Sequence, residues 1–296
     1  MVRLIPGMAG DHERTVTLPD GRILGYAEWG DPGGRPVLYF HGTPASRLDP
    51  VCFPDAPEQA GVRLISLDRP GMGLSSFQRR RTIAAWPDDV AALADTLGLE
   101  RFGVVGWSGG GPYVLACAAA LADRLTGAVS VAGVGRFDSP GSLEGMNPSE
   151  RKLTRLCQTA PPLARVALGI LFRVSRAKPD QAFKGFYNEV SESDQRVLDA
   201  LPVQAKRMGW FVEAGRHGAK GAVQDYRALG DWGFALERAE MPVTLWQGDA
   251  DQLVPMRHAE ELAAAAPGAT LRRCPGEGHL VMVSHATEIL RAAGGG

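Results

Sequence analysis

Cysteine is scarce. Four residues in a chain of 296, Cys52, Cys117, Cys157 and Cys274, lie far apart with no CxxC pair. They are too few for a disulfide scaffold and wrongly spaced for a zinc module, so free thiols in a reducing cytoplasm are the expectation. Charge of one sign is lacking too. Thirty-two basic residues stand against thirty-three acidic ones, a net charge of -1, so no overall positive field exists to attract nucleic acid. Long apolar runs are missing as well. The most apolar stretch, residues 163–174, is interrupted by Arg165 and Arg173 and falls short of the roughly 20 residues that a bilayer span requires. Residues 1–10 lack the apolar core and small-residue cleavage site of a secretory signal. No nucleic acid, membrane or metal partner is expected.

What is present is an ordinary globular composition, 45% hydrophobic and 22% charged, too apolar for a disordered chain. The length suits one large α/β domain or a core domain carrying an insertion. Strand-like stretches open the chain at 14–18 and 22–29, separated by the turn Pro19-Asp20-Gly21. Short apolar runs at 36–40, 62–67, 102–106 and 128–134 read as buried strands. Helices are expected between them at 87–97 and 112–122. Such alternation argues for a parallel sheet flanked by helices. From 136 to 240 the pattern changes to five helix-like stretches, roughly 149–157, 163–176, 181–187, 194–201 and 203–214, with no buried strand. Strand–helix alternation then resumes at 243–247, 256–266, 270–274 and 286–292. The expected organisation is a core in two parts, 1–135 and 241–296, with a helical insertion at 136–240.

Gly106-Trp107-Ser108-Gly109-Gly110 matches G-x-S-x-G between a predicted strand and a predicted helix. That context makes Ser108 a candidate nucleophile, lifted clear of the sheet on a tight turn at the positive end of a helix. A glycine-rich loop with an incidental serine is the plain alternative. A phosphate-binding loop fits less well, because no Lys-Ser/Thr follows and the G-x-G-x-x-G order is absent. A serine nucleophile needs a base, and the base needs a carboxylate. Candidates follow in the order Ser, Asp, His. Asp249 and Asp251 lie just past the strand at 243–247, and His279 lies just past the one at 270–274. Both positions would fall at the carboxyl edge of a parallel sheet, where such sheets place their sites.

With these motifs in order, the chain resembles the α/β-hydrolase superfamily. His41-Gly42-Thr43-Pro44 is similar to its oxyanion loop, and Asp68-Arg69-Pro70-Gly71-Met72-Gly73-Leu74-Ser75 to the glycine turn after its fourth strand. The likeness spans the chain except 136–240, which falls where the family carries a variable cap. It implies Ser108 as nucleophile, His279 as base and Asp251 as acid, with the backbone N–H groups of Thr43 and Gly109 as the oxyanion hole. It also implies ester-bond hydrolysis of a small molecule, with no metal or organic cofactor. Two departures stand out: the loop is His-Gly-Thr-Pro where an esterase branch has His-Gly-Gly-Gly, and three glycines follow Ser108. Serine at the elbow argues against dehalogenases and epoxide hydrolases, which need a carboxylate nucleophile. Lactonase, thioesterase, carbon–carbon hydrolase and perhydrolase chemistry stay open, as do a lyase or cyclase and a non-catalytic receptor.

Each role has rivals. Asp249 is the nearest for the acid, but the family pattern, in which two residues and then Val-Pro follow the carboxylate, selects Asp251 and leaves Asp249 to organise its loop. Asp138 is a more distant rival, and Asp68 is expected to bind backbone amides in its turn. His41 is expected to order the oxyanion loop and is a candidate pocket residue. Trp107 either lines the pocket or packs beneath the cap. His12, His217 and His258 lack motif context and are expected at the surface, and His285 is expected to face away from the elbow. Met208, Trp210, Phe211, Tyr226, Trp232 and Phe234 are expected to form the inserted segment's own core, and Arg151, Lys152 and Arg155 a solvated helix face. Substrate identity and oligomeric state are not legible.

Overall fold

Uniformly apolar strands are stable only in the middle of a sheet covered on both faces, and that is where they lie. The computed structural model describes residues 12–138, 141–239 and 241–296; the expectation for residues 1–10 lies outside the described residues. Eight strands run β1 (Arg14–Thr17), β2 (Ile23–Gly30), β3 (Arg35–Phe40), β4 (Val62–Leu67), β5 (Phe102–Trp107), β6 (Leu125–Val131), β7 (Thr244–Gly248) and β8 (Thr270–Cys274). They form one sheet in the order β1-β2-β4-β3-β5-β6-β7-β8. β1 and β2 pair antiparallel, as do β2 and β4, and the remaining pairs are parallel. The expected α/β class is the observed one.

Side chains alternate across the sheet with the period of two that strands impose. Leu38 and Phe40 join one hydrophobic core with Val104, Val114 and Trp86. Val37 and Tyr39 join the other with Val105, Val129 and Leu290. Central β5 is buried along its whole length, which fixes the height at which its C-terminal turn emerges.

Between β6 and β7 the chain is helical. Helices Pro148–Thr159, Pro161–Ala177, Pro179–Tyr187, Glu192–Ala200, Val203–Lys206, Gly209–Ala214 and Lys220–Ala228 occupy this stretch. A third apolar cluster forms among them around Leu168, Phe172, Phe211, Val223 and Tyr226, and it includes Met72 from the sheet's own loop. Three expectations need correction. The helix read at 203–214 is split where Met208 takes a left-handed φ of 54°. β6 ends at Val131 rather than 134 because Ala132 turns out of the extended region at φ 47°. The sequence pattern gives no helix at Lys220–Ala228, because Gly218 and Gly221 mask it, yet Gly221 is where the helix backbone touches Gly71, a contact with no room for a Cβ.

Candidate active site

Ser108 heads the turn from β5 into helix Gly111–Ala120 with φ 56°, a conformation that a non-glycine residue holds only where its surroundings enforce it. The enforcement comes from the flanking glycines. A Cβ on Gly106 would collide with the carbonyl of Gly110, and one on Gly110 with the carbonyl of Phe40. The motif's spacing is thus a statement about close backbone approach on both sides of the serine.

Ser108 lines a cavity of about 610 Å³ together with Thr43, Gly109, Trp107 and His279. His279 Nδ1 lies 2.9 Å from Asp251 Oδ2. The other oxygen of Asp251 accepts from the backbone N–H groups of Leu253 (2.8 Å) and Val254 (2.9 Å), and Gln247 Nε2 donates to Oδ2 at 3.0 Å. The carboxylate is therefore fixed before the imidazole meets it. Burial alone would pull the pKa of His279 down, but the charge of Asp251 and the hydrogen bond to it outweigh burial and hold it above the usual imidazole value. Trp107 takes the first of its two expected places and adds a contact of another kind. It lines the cavity, and it clamps the histidine, stacking on the ring at 5.8 Å and donating from Nε1 to the His279 carbonyl at 3.1 Å.

Asp249 is exposed and accepts from the Gly276 N–H at 2.7 Å. Asp138 is exposed and paired with Arg136. Neither meets His279. Asp68 caps its own turn, accepting from the N–H groups of Arg47 and Leu74.

His41 corrects an expectation. It is fully buried beneath the loop and does not line the cavity. Its Nε2 accepts from the Arg69 N–H at 3.1 Å, which leaves Nδ1 as the protonated nitrogen, 2.7 Å from the Gly42 carbonyl. Burial, reinforced by nearby Arg69, keeps this imidazole well below its usual pKa and therefore neutral. His258 is a second correction. It is buried, accepts from the Gly135 N–H at 2.8 Å, and is pushed by burial down to a pKa of about 4.

Behind the Thr43 loop lies a buried ionic cluster that the sequence reading missed. Asp225, on helix Lys220–Ala228, accepts from Arg69 (2.7 Å), Tyr113 (2.7 Å), Thr43 Oγ1 (2.5 Å) and Arg81. Arg69 also donates to Thr43 Oγ1 at 2.7 Å and to the carbonyls of His41 and Gly42. Burial would raise the pKa of Asp225, but Arg69 and Arg81 overcome it and hold the carboxyl well below the carboxylate range. Thr43 is thereby pinned on both its donor and acceptor sides. The backbone N–H of Thr43 donates to no other described residue. Asp49, at the cavity wall, accepts from the Gly42 N–H and Tyr39 Oη, each at 3.1 Å, and burial pushes its pKa up to about 6.

The helical segment supplies two further acids. Asp194 accepts from the backbone N–H groups of His279 (3.0 Å) and Leu280 (2.7 Å) and from Ser191 Oγ (2.7 Å). Gly278 admits this approach, since a Cβ there would strike the carboxylate. Glu150, on the cavity wall, accepts from Tyr226 Oη at 2.9 Å, and burial raises its pKa. Met208, Trp210, Phe211 and Tyr226 line the cavity, so the expectation of a purely internal core holds only in part. Trp232 and Phe234 stack at 5.9 Å and belong to the sheet's own core. Among the described residues one group has metal-ligand chemistry: Cys274, Glu277 and His285, with ligand atoms within 4.8 Å of one another. None of the three lines the cavity. Glu277 and His285 already satisfy each other at 2.6 Å, and burial keeps the Cys274 thiol up at about 11.

Against known proteins, a family model described as alpha/beta hydrolase fold matches residues 35–286. The chain is 28% identical to a non-heme chloroperoxidase of Streptomyces lividans, covering 92% of this chain and 94% of that protein. It is 26% identical to the bifunctional esterase/perhydrolase DCH of Acinetobacter calcoaceticus, covering 81% and 83%. An alpha/beta hydrolase fold protein from Nakamurella multipartita superposes with a TM-score of 0.67 at 25% identity, over 95% of this chain and 99% of that one.

Proposed function

The chain belongs to the α/β-hydrolase fold family, and on that premise we propose that it hydrolyses an ester-like bond of a small molecule through an acyl-enzyme on Ser108. One observation carries the reading: a serine held at φ 56° opens onto the same cavity as an imidazole already bonded at 2.9 Å to a buried carboxylate. In this mechanism His279 takes the Ser108 proton as Oγ attacks the carbonyl carbon, and Asp251 holds the imidazole and offsets its positive charge. The tetrahedral oxyanion is received by the N–H groups of Thr43 and Gly109. His279 then protonates the leaving group, and water, activated by the same imidazole, releases the acid. No step calls for a cofactor. Residues 136–240 act as a cap whose apolar side chains wall the acyl site. The four cysteines are buried and unpaired, which supports a reducing, cytoplasmic setting.

A second reading shares the first half-reaction. If hydrogen peroxide replaces water in deacylation, the product is a peracid. The likeness to an esterase/perhydrolase and to a non-heme chloroperoxidase favours keeping it in view. The test is intact mass after treatment with a fluorophosphonate, for wild type and Ser108→Ala, with short p-nitrophenyl esters assayed with and without peroxide. One adduct on wild type alone, with matching turnover, supports the reading. Equal labelling of both proteins, or ester turnover that survives Ser108→Ala, overturns it.

A further inference from the structure

Helix Pro161–Ala177 is seated by a narrow buried stripe, Ala164, Leu168, Phe172 and Ser175. Its outer surface is not the polar face such a helix should show. Leu163 (64% exposed), Val166 (61%), Ile170 (52%), Leu171 (44%) and Val174 (43%) all meet solvent. Four of them recur at intervals of three and four residues, which places them in one line along the helix. Leu171 and Val174 also line the cavity, so this outer stripe runs without a break over the rim and into the candidate site.

The charges around the stripe are of one sign. From Arg151 to Lys178 the sequence holds seven Lys or Arg and no Asp or Glu, in a chain whose net charge is -1. Arg165, Arg173 and Arg176 lie on the same helix, between the buried residues and one edge of the exposed stripe, and all three are exposed. Arg151, Lys152 and Arg155 extend the field along helix Pro148–Thr159. None of these six is paired with a carboxylate among the described residues.

We propose that this helix is an interfacial one that docks the protein on a bilayer surface bearing anionic lipid. A lengthwise apolar stripe edged by arginines matches the acyl–headgroup boundary, with the apolar side chains inserted and the guanidiniums at the phosphates. The absence of a membrane-spanning helix among the described residues is no obstacle, because a helix lying in the interface needs no spanning length. A second copy of the chain is disfavoured as the occupant. A two-fold contact through this face would set each basic field against its own image. Docked in this way, the cavity mouth opens onto the acyl region. Given the hydrolase reading, the substrates served are lipophilic esters that partition from the bilayer.

The test is co-sedimentation with vesicles of phosphatidylcholine alone and with about 30 mol% phosphatidylglycerol, at about 0.1 M salt. Wild type is compared with Leu163→Ser/Val166→Ser/Ile170→Ser and with Arg165→Ser/Arg173→Ser/Arg176→Ser. None of the six lines the cavity, so fluorophosphonate labelling of Ser108 and far-UV circular dichroism serve as controls of integrity that do not depend on lipid. The expected result is binding to the anionic vesicles that weakens about fivefold per arginine removed, from roughly one surface charge each, and at least tenfold for the apolar variant. Absence of vesicle binding by the wild type overturns the proposal, as do variants that bind as well as wild type. So does a sedimentation-velocity dimer that both variants dissociate. Each of these outcomes leaves the labelling of Ser108, and with it the hydrolase reading, to be judged separately.

Discussion

Asp225→Asn isolates what the buried ionic cluster does for the fold. Two guanidiniums, Arg69 and Arg81, face one carboxylate in a site closed to solvent. Asparagine keeps the shape and one acceptor, but its NH₂ points donors at groups that are themselves donors. Both cations lose their counter-charge. Removing one partner of a buried ion pair costs about 3–5 kcal/mol, against a total stability of about 5–15 kcal/mol for a domain. The variant should therefore unfold in urea at a markedly lower midpoint, with an unchanged slope. The effect should also depend on pH in a definite sense. The folded pKa lies below the unfolded value, so this stabilisation is complete above about pH 4 and is lost as pH falls toward the folded pKa. Arg81→Met/Asp225→Asn restores the original net charge and should be more stable than Asp225→Asn, with a coupling of about 1–3 kcal/mol. A loss under about 1 kcal/mol for the single variant, or strict additivity in the double one, would refute the argument.

Further expectations concern the site's charges and supports. Because Asp251 holds the pKa of His279 above the usual imidazole value, and catalysis needs the neutral base, kcat/KM should rise with pH through a midpoint above about 6.5. Asp251→Asn should lower kcat by about 10⁴-fold on the precedent of such triads; a pH–rate profile for each protein checks both statements. For Asp49, the folded pKa of about 6 exceeds the unfolded value, so its contribution is present below about pH 4 and lost as pH rises through 6. Asp49→Asn should thus gain about 2–3 kcal/mol on wild type between pH 4 and pH 8, read from paired urea titrations. Asp194→Ala strands the N–H groups of His279 and Leu280, at a cost of about 1–3 kcal/mol each. It should lower kcat more than it changes KM, and a change in KM alone would count against the positioning role.

The central strands were legible because each is a short run dominated by apolar residues, with few polar side chains to place outside. The strand–turn–helix setting of Ser108 was legible for the same reason. Where a boundary slipped, a single backbone torsion was responsible: Val134 continues the apolar run of β6, but Ala132 has already left the sheet. The order Ser108, Asp251, His279 was readable, and so was the local rivalry between Asp249 and Asp251, but not its outcome in space. That depends on which carboxylate the amides of Leu253 and Val254 capture. Asp225, Asp194 and Asp49 left no trace in the sequence. A buried acid is defined by partners distant along the chain, Arg69 and Arg81 in one case and the amides of His279 and Leu280 in another, and no local pattern marks it. His258 misled for the same reason.

Asp225 and Asp194 both come from the helical segment between β6 and β7, and both serve loops of the sheet. One neutralises arginines belonging to the core, and the other holds the backbone of the catalytic histidine candidate. The segment is therefore not an interchangeable module. Excising it to make a minimal enzyme would leave two stranded cations and an untethered histidine loop. Grafting a relative's segment in its place would succeed only if that segment brought acids to the same two points. Recombination between family members after β6 and before β7 should often fail unless Arg69, Arg81 and Gly278 are exchanged along with it.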